Sequence, residues 1–262
     1  MKQYYRIIRQ LTRMGILRHT AYRPSLIFGI LGKLGRVGLY LIFADTIFRH
    51  IPAFAGWTPQ NVPVLVISLF VIELLANITF QRNLLFWFPL RYLRKGQYDF
   101  TITKPISVLF FTSFSAGLDF FDTLALIPVL GFFGVFLVAH GVSFISLLGY
   151  SVLMGAAYLI CFSFALLCSS LHFWTLIPTG VGRWYTSIQY LNRFPLDVLP
   201  QGWRNVVFYI IPIAVAGNIP AKYVVGTWSN AELWYIVGFS VMLFFVARKW
   251  WYYALRHYSS AA

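Results

Sequence analysis

The chain is 262 residues long, 59% hydrophobic, 19% aromatic and 11% charged, against about 45–50% apolar and about 25% charged for a soluble domain; this excludes a soluble globular fold and intrinsic disorder. Its 21 Lys+Arg outnumber 7 Asp+Glu for a net charge of +14, and they sit between apolar runs as in cytoplasmic loops, not in the single stripe of a nucleic-acid binder. The composition is that of a polytopic membrane protein whose surroundings are lipid, with no nucleic acid as partner.

Residues 1–20 are predicted as an amphipathic interfacial helix. At about 100° per residue, Lys2, Arg6, Arg9 and Arg13 fall on one side, and Tyr4, Ile7, Ile8, Leu11 and Met14 on the other. This suits a helix lying among headgroups with its cations toward anionic lipid; a solvated helix capping the first crossing has the same geometry. The first residues lack the apolar core of a cleavable signal peptide, so none is expected.

The first crossing is predicted over 24–48. It carries Lys33 and Arg36, which are costly at such depth unless they snorkel, pair or face a polar cavity. A polar loop with Pro52, Gly56, Trp57 and Pro59 leads to a second crossing over 62–89, with Glu73 near its middle. Lys33 and Arg36 are its candidate partners by depth; a structural ion pair and a pathway charge both fit. Residues 90–106 form a short polar loop containing RYLRKGQYDFTITKP. The apolar region that follows is too long for one straight crossing. It is expected to begin as an interfacial piece and to cross over 117–139.

A turn at His140-Gly141 returns the chain into a fourth crossing over 144–170, rich in small residues that favour close helix packing. The fifth crossing has two possible registers, 174–196 or 204–222. The last spans 232–250 and ends in ARKWWYYALRH, cations with the aromatics of an interfacial belt. Basic residues concentrate in the N-terminal segment, at Arg91, Arg94, Lys95 and Lys104, and in the tail at Arg248, Lys249 and Arg256, whereas the opposite loops hold Arg49 and Lys222. The positive-inside rule then puts both termini in the cytoplasm and makes the number of crossings even, with six predicted.

Catalytic motifs are missing. There is no phosphate-binding G-x-x-x-x-G-K-[ST], the nearest approach being GILGK at 29–33 with the wrong spacing, and no H-E-x-x-H or G-x-S-x-G. The five histidines are scattered, and Cys161 and Cys168 lie within an apolar run, too far apart to bond to each other. No catalytic residue, metal set or cofactor is therefore predicted for this chain. Asp119 and Asp122, one helical turn apart, suit either a proton relay or the capped start of a helix that meets the basic loop before it. The segment from Gly96 through Asp99 and Phe100 to Lys104-Pro105 suits a tether or a docking surface for a soluble partner.

Four segments, in order, carry a family likeness: the basic helix leading into AYRPSLIF, AGW at 55–57, KGQYDFTITKP, and RFPLDVLPQGWR with IPIAVAGNIPAKYVVG before the last crossing. In these the chain resembles the ABC-2 type transporter permeases, in the bacterial branch with a separate ATPase subunit. The resemblance implies an all-α polytopic membrane protein, a single permease domain over 1–262. It would have six transmembrane helices, an N-terminal interfacial helix, a cytoplasmic coupling helix and a re-entrant hairpin at 202–226, with the fifth crossing at 174–196.

The same resemblance implies an exporter subunit of the inner (plasma) membrane without its own ATPase site. It would pair with a second permease copy, identical or related, and dock ABC ATPase subunits that carry ATP and Mg. Arg94, Gly96, Asp99, Phe100, Lys104 and Pro105 would couple to the ATPase. Lys33, Arg36, Glu73, Arg183 and Trp184 would line the substrate pathway or dimer seam. The residues by themselves leave open an ion-coupled secondary transporter using Glu73, Asp119 and Asp122, and a non-transporting assembly subunit.

Overall fold

The computed structural model describes residues 2–20, 23–50, 56–93, 95–115, 117–175, 180–190, 195–211 and 215–258. Among them no strand forms. The helices are α1 (Lys2–Thr20), α2 (Arg23–His50), α3 (Val62–Thr79), α4 (Asp99–Ile102), α5 (Val108–Phe114), α6 (Phe120–Ala139), α7 (Phe144–Ser170), α8 (His172–Thr175), α9 (Gly180–Gln189), α10 (Gln201–Ile210), α11 (Asn218–Val225) and α12 (Asn230–Arg256). A π-helical segment (Asn83–Leu93) prolongs α3, and a 3-10 turn (Leu196–Val198) precedes α10.

Among the described residues, five runs are long and apolar enough to cross a membrane: Ile27–His50, Val62–Leu93, Phe120–Ala139, Phe144–Thr175 and Asn230–Arg256. They overlap the first four and the last of the predicted crossings. Within 174–196, α9 has 10 residues, about 15 Å of helix and half of a ~30 Å hydrocarbon core. Residues 176–179 and 191–194 lie outside the described ones. The run 204–222 does not form one continuous helix, because it is divided between α10 and α11. Gly217 and Pro220 stand at the start of α11, where a glycine and a proline oppose continuation of a helix from upstream.

Helices α3 and α7 form the centre. α12 packs along α7, α2 and α6 pack on α3, and α11 contacts both central helices. Lipid tails are as apolar as leucine, so helices in a bilayer are joined by close fit and polar contacts rather than by hydrophobic exclusion. Such contacts link α3 to α7: the hydroxyls of Ser68 and Tyr150 lie 2.9 Å apart, and those of Thr79 and Tyr158 2.8 Å apart. Phe28, Leu39 and Phe43 of α2 remain exposed, an apolar row suited to lipid or another subunit.

Helix starts follow local chemistry. Asp119 caps α6 by accepting from the Asp122 backbone N–H at 2.9 Å. Ser143 does the same for α7 through Ser146, and Ser229 with Glu232 forms a reciprocal capping box on α12. At the head of α6 the chain passes tightly under α1. Gly117 has φ +73°, and a Cβ there would stand 2.6 Å from the Leu11 carbonyl carbon, so only glycine fits.

The π-helical segment has a chemical cause. Pro89 lies inside it and has no N–H. In an i→i+5 ladder, the carbonyl that Pro89 would serve is that of Leu84. The Ser169 hydroxyl of α7 donates to that carbonyl at 2.7 Å instead. The next carbonyl, Leu85, faces Gly182 of α9, where a Cβ would approach within 2.8 Å. The second crossing thus changes pitch where α7 and α9 press on it.

Candidate functional site

Two linked features stand out: a charge network with a polar groove on α3, and the loop that follows the π-helical segment.

The sequence offers Glu73 as the acid of the second crossing, but Asn77 and Gln81 follow it at four-residue steps and Arg82 comes next. On a helix Glu73, Asn77 and Gln81 share one face, and Arg82 stands about 100° around from Gln81. Glu73 accepts from Arg36 of α2 at 2.7 Å, and the Arg36 guanidinium lies 5.1 Å over the Phe70 ring. Lys33, one turn before Arg36, pairs with Asp122 of α6. Arg82 pairs with Asp119 and reaches Asp122 at 3.2 Å. Asp119 caps α6 and Asp122 stands in its first turn, in line with one expectation. Their cations, however, come from Lys33 and Arg82, not from the basic loop between the second and third crossings. The cause is tertiary: α2 and α3 both pack against the start of α6.

Depth separates the two halves of this network. At 1.5 Å per residue, Glu73 lies about 16 Å along the helix from Val62, and Arg82 about 30 Å. The Arg36–Glu73 pair and the Arg82 cluster therefore lie about 14 Å apart along the helix, both within the apolar run Val62–Leu93. Three cations (Lys33, Arg36, Arg82) meet three carboxylates (Glu73, Asp119, Asp122). Each charge has an opposite partner, as ions held inside a bilayer require.

Beside the network, a groove of about 460 Å³ runs between α3 with its π extension and α9. Glu73, Asn77, Gln81, Arg82 and Trp87 line one side, and Thr186, Gln189 and Tyr190 the other. The Gln81 amide donates to Gln189 at 3.2 Å, a polar bridge across it. Arg183 and Trp184 are not in this group. They occupy the exposed face of α9, with Trp184 leaning on Phe164 at 6.1 Å between ring centres. The buried face holds Gly182, Tyr185 and Gln189, and the Tyr185 hydroxyl donates to the Cys161 carbonyl at 3.2 Å.

The second feature is the loop 95–106. Gly96 turns the chain with φ +65°, and the one-turn helix α4 follows. Arg94 lies outside the described residues. Tyr98, which no motif singles out, is fully buried. Its ring meets Phe88 of the π-helical segment at 5.1 Å, Phe173 of α8 at 5.8 Å and Tyr258 after α12 at 5.3 Å. Trp251 of α12 closes the cluster against Phe88 and Phe173. Burial pushes the Tyr98 phenol well above its ordinary value, partly offset by Thr112, whose hydroxyl lies 3.5 Å away. Phe100, by contrast, is 74% exposed. Lys104 and Pro105 are also exposed, the Lys104 ammonium lying 3.9 Å over the Phe111 ring. The loop is held from beneath by an aromatic core and presents Phe100, Ile102 and Lys104 outward.

Among the described residues, no group of three His, Cys, Asp or Glu side chains is placed to hold a metal ion. The network and groove offer paired charges and hydrogen bonding, which suit passage or binding of a molecule. Neither a curated protein nor a solved structure matches the chain. A family model described as "ABC-2 family transporter protein" matches residues 34–262, which takes in the groove, the buried-inside, exposed-outside loop and every member of the charge network except Lys33. The chain is thus a multi-pass membrane protein that belongs to the ABC-2 transporter family, as a permease subunit.

Proposed function

We propose that the chain is the transmembrane subunit of an ATP-driven exporter in the inner membrane, working with a second permease copy and powered by separate ABC ATPase subunits. Membership of the family implies association with an ABC ATPase. Both termini face the cytoplasm, α9 with its flanks is the fifth crossing, and α10 and α11 form a re-entrant hairpin. Broken backbone of that kind is tolerated at membrane depth when protein covers it, and α11 packs on α3 and α7. The side chains of Asp197, Lys222 and Glu232 tie this region together, with Lys222 donating to Asp197 at 2.8 Å and to Glu232 at 3.1 Å. ATP and Mg belong to the partner.

One observation carries the coupling role. Tyr98 roots the loop in an aromatic core that reaches the second crossing and α12, while Phe100, two residues on, stands exposed. A push on Phe100, Asp99 or Lys104 is thereby transmitted to two crossings at once. Arg183 and Trp184, exposed on α9, suit the dimer seam. Lys33, Arg36 and Glu73 border the pathway. An ion-coupled mechanism is disfavoured because Glu73, Asp119 and Asp122 each already hold a cationic side chain.

Purification with associated proteins tests this proposal. An ABC ATPase should accompany the wild-type chain and be lost with Asp99→Arg plus Lys104→Glu, while the permease keeps its melting temperature. Transport that persists without nucleotide and collapses with the proton gradient would overturn it. Sidedness is read by labelling single cysteines at the exposed positions Thr103 and Thr227. The native Cys161 and Cys168 are buried and give little background. Thr103 should label only from the cytoplasm and Thr227 only from outside.

A further inference from the structure

We infer that the groove between α3 and α9 is a binding site for a neutral, hydroxyl-bearing head, of which a sugar ring on an apolar tail is the simplest form. The inference deepens the permease proposal by naming a substrate class, and rests on it for the transport role.

Charge is the first argument. Glu73 and Arg82 line the groove, but Arg36 answers the one and Asp119 and Asp122 the other. The three cations and three carboxylates of the network cancel. Within the network, the cations that taken alone suggest an anionic cargo are thus cancelled, whereas Arg91 over Trp87 and Arg183 on the exposed face of α9 stand outside it. A charged ligand would have to compete with an existing pair at the edge of a low-dielectric interior.

Hydrogen bonding is the second. Gln81 is 4% exposed and Gln189 8%. Each carries two kinds of polar atom, yet they share one bond of 3.2 Å. The Gln81 Oε1 and the Gln189 Nε2 have no partner among the described residues. If both amides are turned over, the bond reverses direction and again one acceptor and one donor are left, so the deficit does not depend on which atom is oxygen. An unanswered buried polar group is costly. Both residues line the groove, and rotating the amides toward it would exchange one long bond for several to a ligand. A hydroxyl is donor and acceptor in one atom, and neighbouring hydroxyls match the pair.

Shape is the third. Trp87 remains 37% exposed although Arg91 covers its ring at 3.8 Å, and Tyr190 is 51% exposed. Flat aromatic surface beside a few fixed polar groups orients a ring that has polar edges and an apolar face. The groove runs from Glu73 to Trp87 along the apolar run Val62–Leu93, which places the head against α9 and leaves a tail toward lipid.

Binding to the purified full chain in neutral-lipid nanodiscs, without nucleotide or ATPase, tests the site. The probe is radiolabelled hexyl β-D-glucoside, with hexyl phosphate and hexyltrimethylammonium as charged competitors bearing the same tail. Saturable glucoside binding is expected, weakened at least tenfold by Gln81→Leu or by Gln189→Leu and unaffected by equal concentrations of either charged competitor. The double variant Gln81→Leu/Gln189→Leu leaves neither amide orphaned, so it should keep the wild-type melting temperature while losing the glucoside. Trp87→Ala, at an exposed ring, should weaken binding without touching the amides. Absence of saturable glucoside binding overturns the inference, as does binding indifferent to these substitutions or displacement by hexyl phosphate. Glucoside binding by a chain that captures no ATPase would sink the permease proposal and leave this site standing. ATPase capture without glucoside binding would do the reverse.

Discussion

Lys33 of α2 and Asp122 of α6 form an ion pair across 89 positions of sequence, with the carboxylate almost wholly buried and the ammonium about one-quarter exposed. Asp122 also reaches Arg82, so the two partners are not equivalent. Removing Asp122 strands Lys33, whereas removing Lys33 leaves Asp122 with Arg82. Breaking a buried pair costs roughly 3–5 kcal/mol, and partial exposure of Lys33 lets it snorkel and lowers that. Asp122→Asn should therefore destabilise the purified chain more than Lys33→Met, with Lys33→Met/Asp122→Leu recovering most of the loss. Thermal unfolding in one detergent measures the order; equal losses for the two single variants would contradict it.

Tyr98 and Phe100 should separate folding from coupling. Tyr98→Ala empties a buried aromatic site, at about 3–5 kcal/mol. Tyr98→Phe removes only a hydroxyl whose contact with Thr112 is 3.5 Å, so it should cost under about 1 kcal/mol. Phe100→Ala should leave the melting temperature unchanged and weaken ATPase capture. A Phe100→Ala chain that loses stability but keeps its ATPase would reverse the assignment.

Alkaline pH offers an independent check on Tyr98. Its phenol ionises near pH 10 in the unfolded chain, and burial raises that value in the fold. Above pH 10 the unfolded state releases a proton that the folded state keeps, so stability, full below that point, falls as pH rises toward the folded value. Tyr98→Phe should flatten this decline relative to wild type, as followed by unfolding at stepped pH between 9 and 12.

Ser169→Ala should disturb the pitch change in the second crossing. The Leu84 carbonyl would lose the hydroxyl that stands in for the missing Pro89 N–H. One unsatisfied buried carbonyl costs about 1–3 kcal/mol. Ser169→Thr keeps the hydroxyl and should lie closer to wild type; thermal unfolding of the two variants ranks them.

Gly117→Ala should lift α1 from the head of α6. A side chain there meets the backbone of Leu11 and Thr12 and forces a left-handed φ on a non-glycine residue, at about 1–3 kcal/mol of local strain. The Leu118 N–H bond to the Thr12 hydroxyl, 3.0 Å, would go with it. Limited trypsin digestion after Arg9 and Arg13 should become faster than in wild type while cleavage elsewhere is unchanged.

How far the site could be read from the chain differs residue by residue. The step Glu73, Asn77, Gln81, with Arg82 beside it, is visible as helical periodicity, and it marks a polar stripe on an otherwise apolar crossing. Arg82 escapes notice in sequence because nothing near it in the chain answers its charge: Asp119 and Asp122, which pair with it, stand 37 and 40 positions away. Tyr98 escapes for the opposite reason: an aromatic in a polar loop reads as exposed, and only the convergence of Phe88, Phe173, Trp251 and Tyr258 buries it. Trp184 shares a helix with the groove residues but not a face of it, a difference of rotation that hydropathy does not register, and Arg183, on the side of Thr186, is exposed and does not line the groove.

By itself the sequence determined the solvent in which this protein lives, the long apolar runs and the concentration of positive charge in certain loops. Those follow from composition and periodicity, which act within one helix at a time. Only the tertiary structure decided that Lys33 belongs to Asp122, Arg36 to Glu73 and Arg82 to Asp119, and that Gln81 meets Gln189 across a groove. Such pairings depend on which helix faces lie together. In a bilayer, where lipid tails satisfy any apolar face, that choice is made by a few polar contacts and close approaches between residues far apart in the chain.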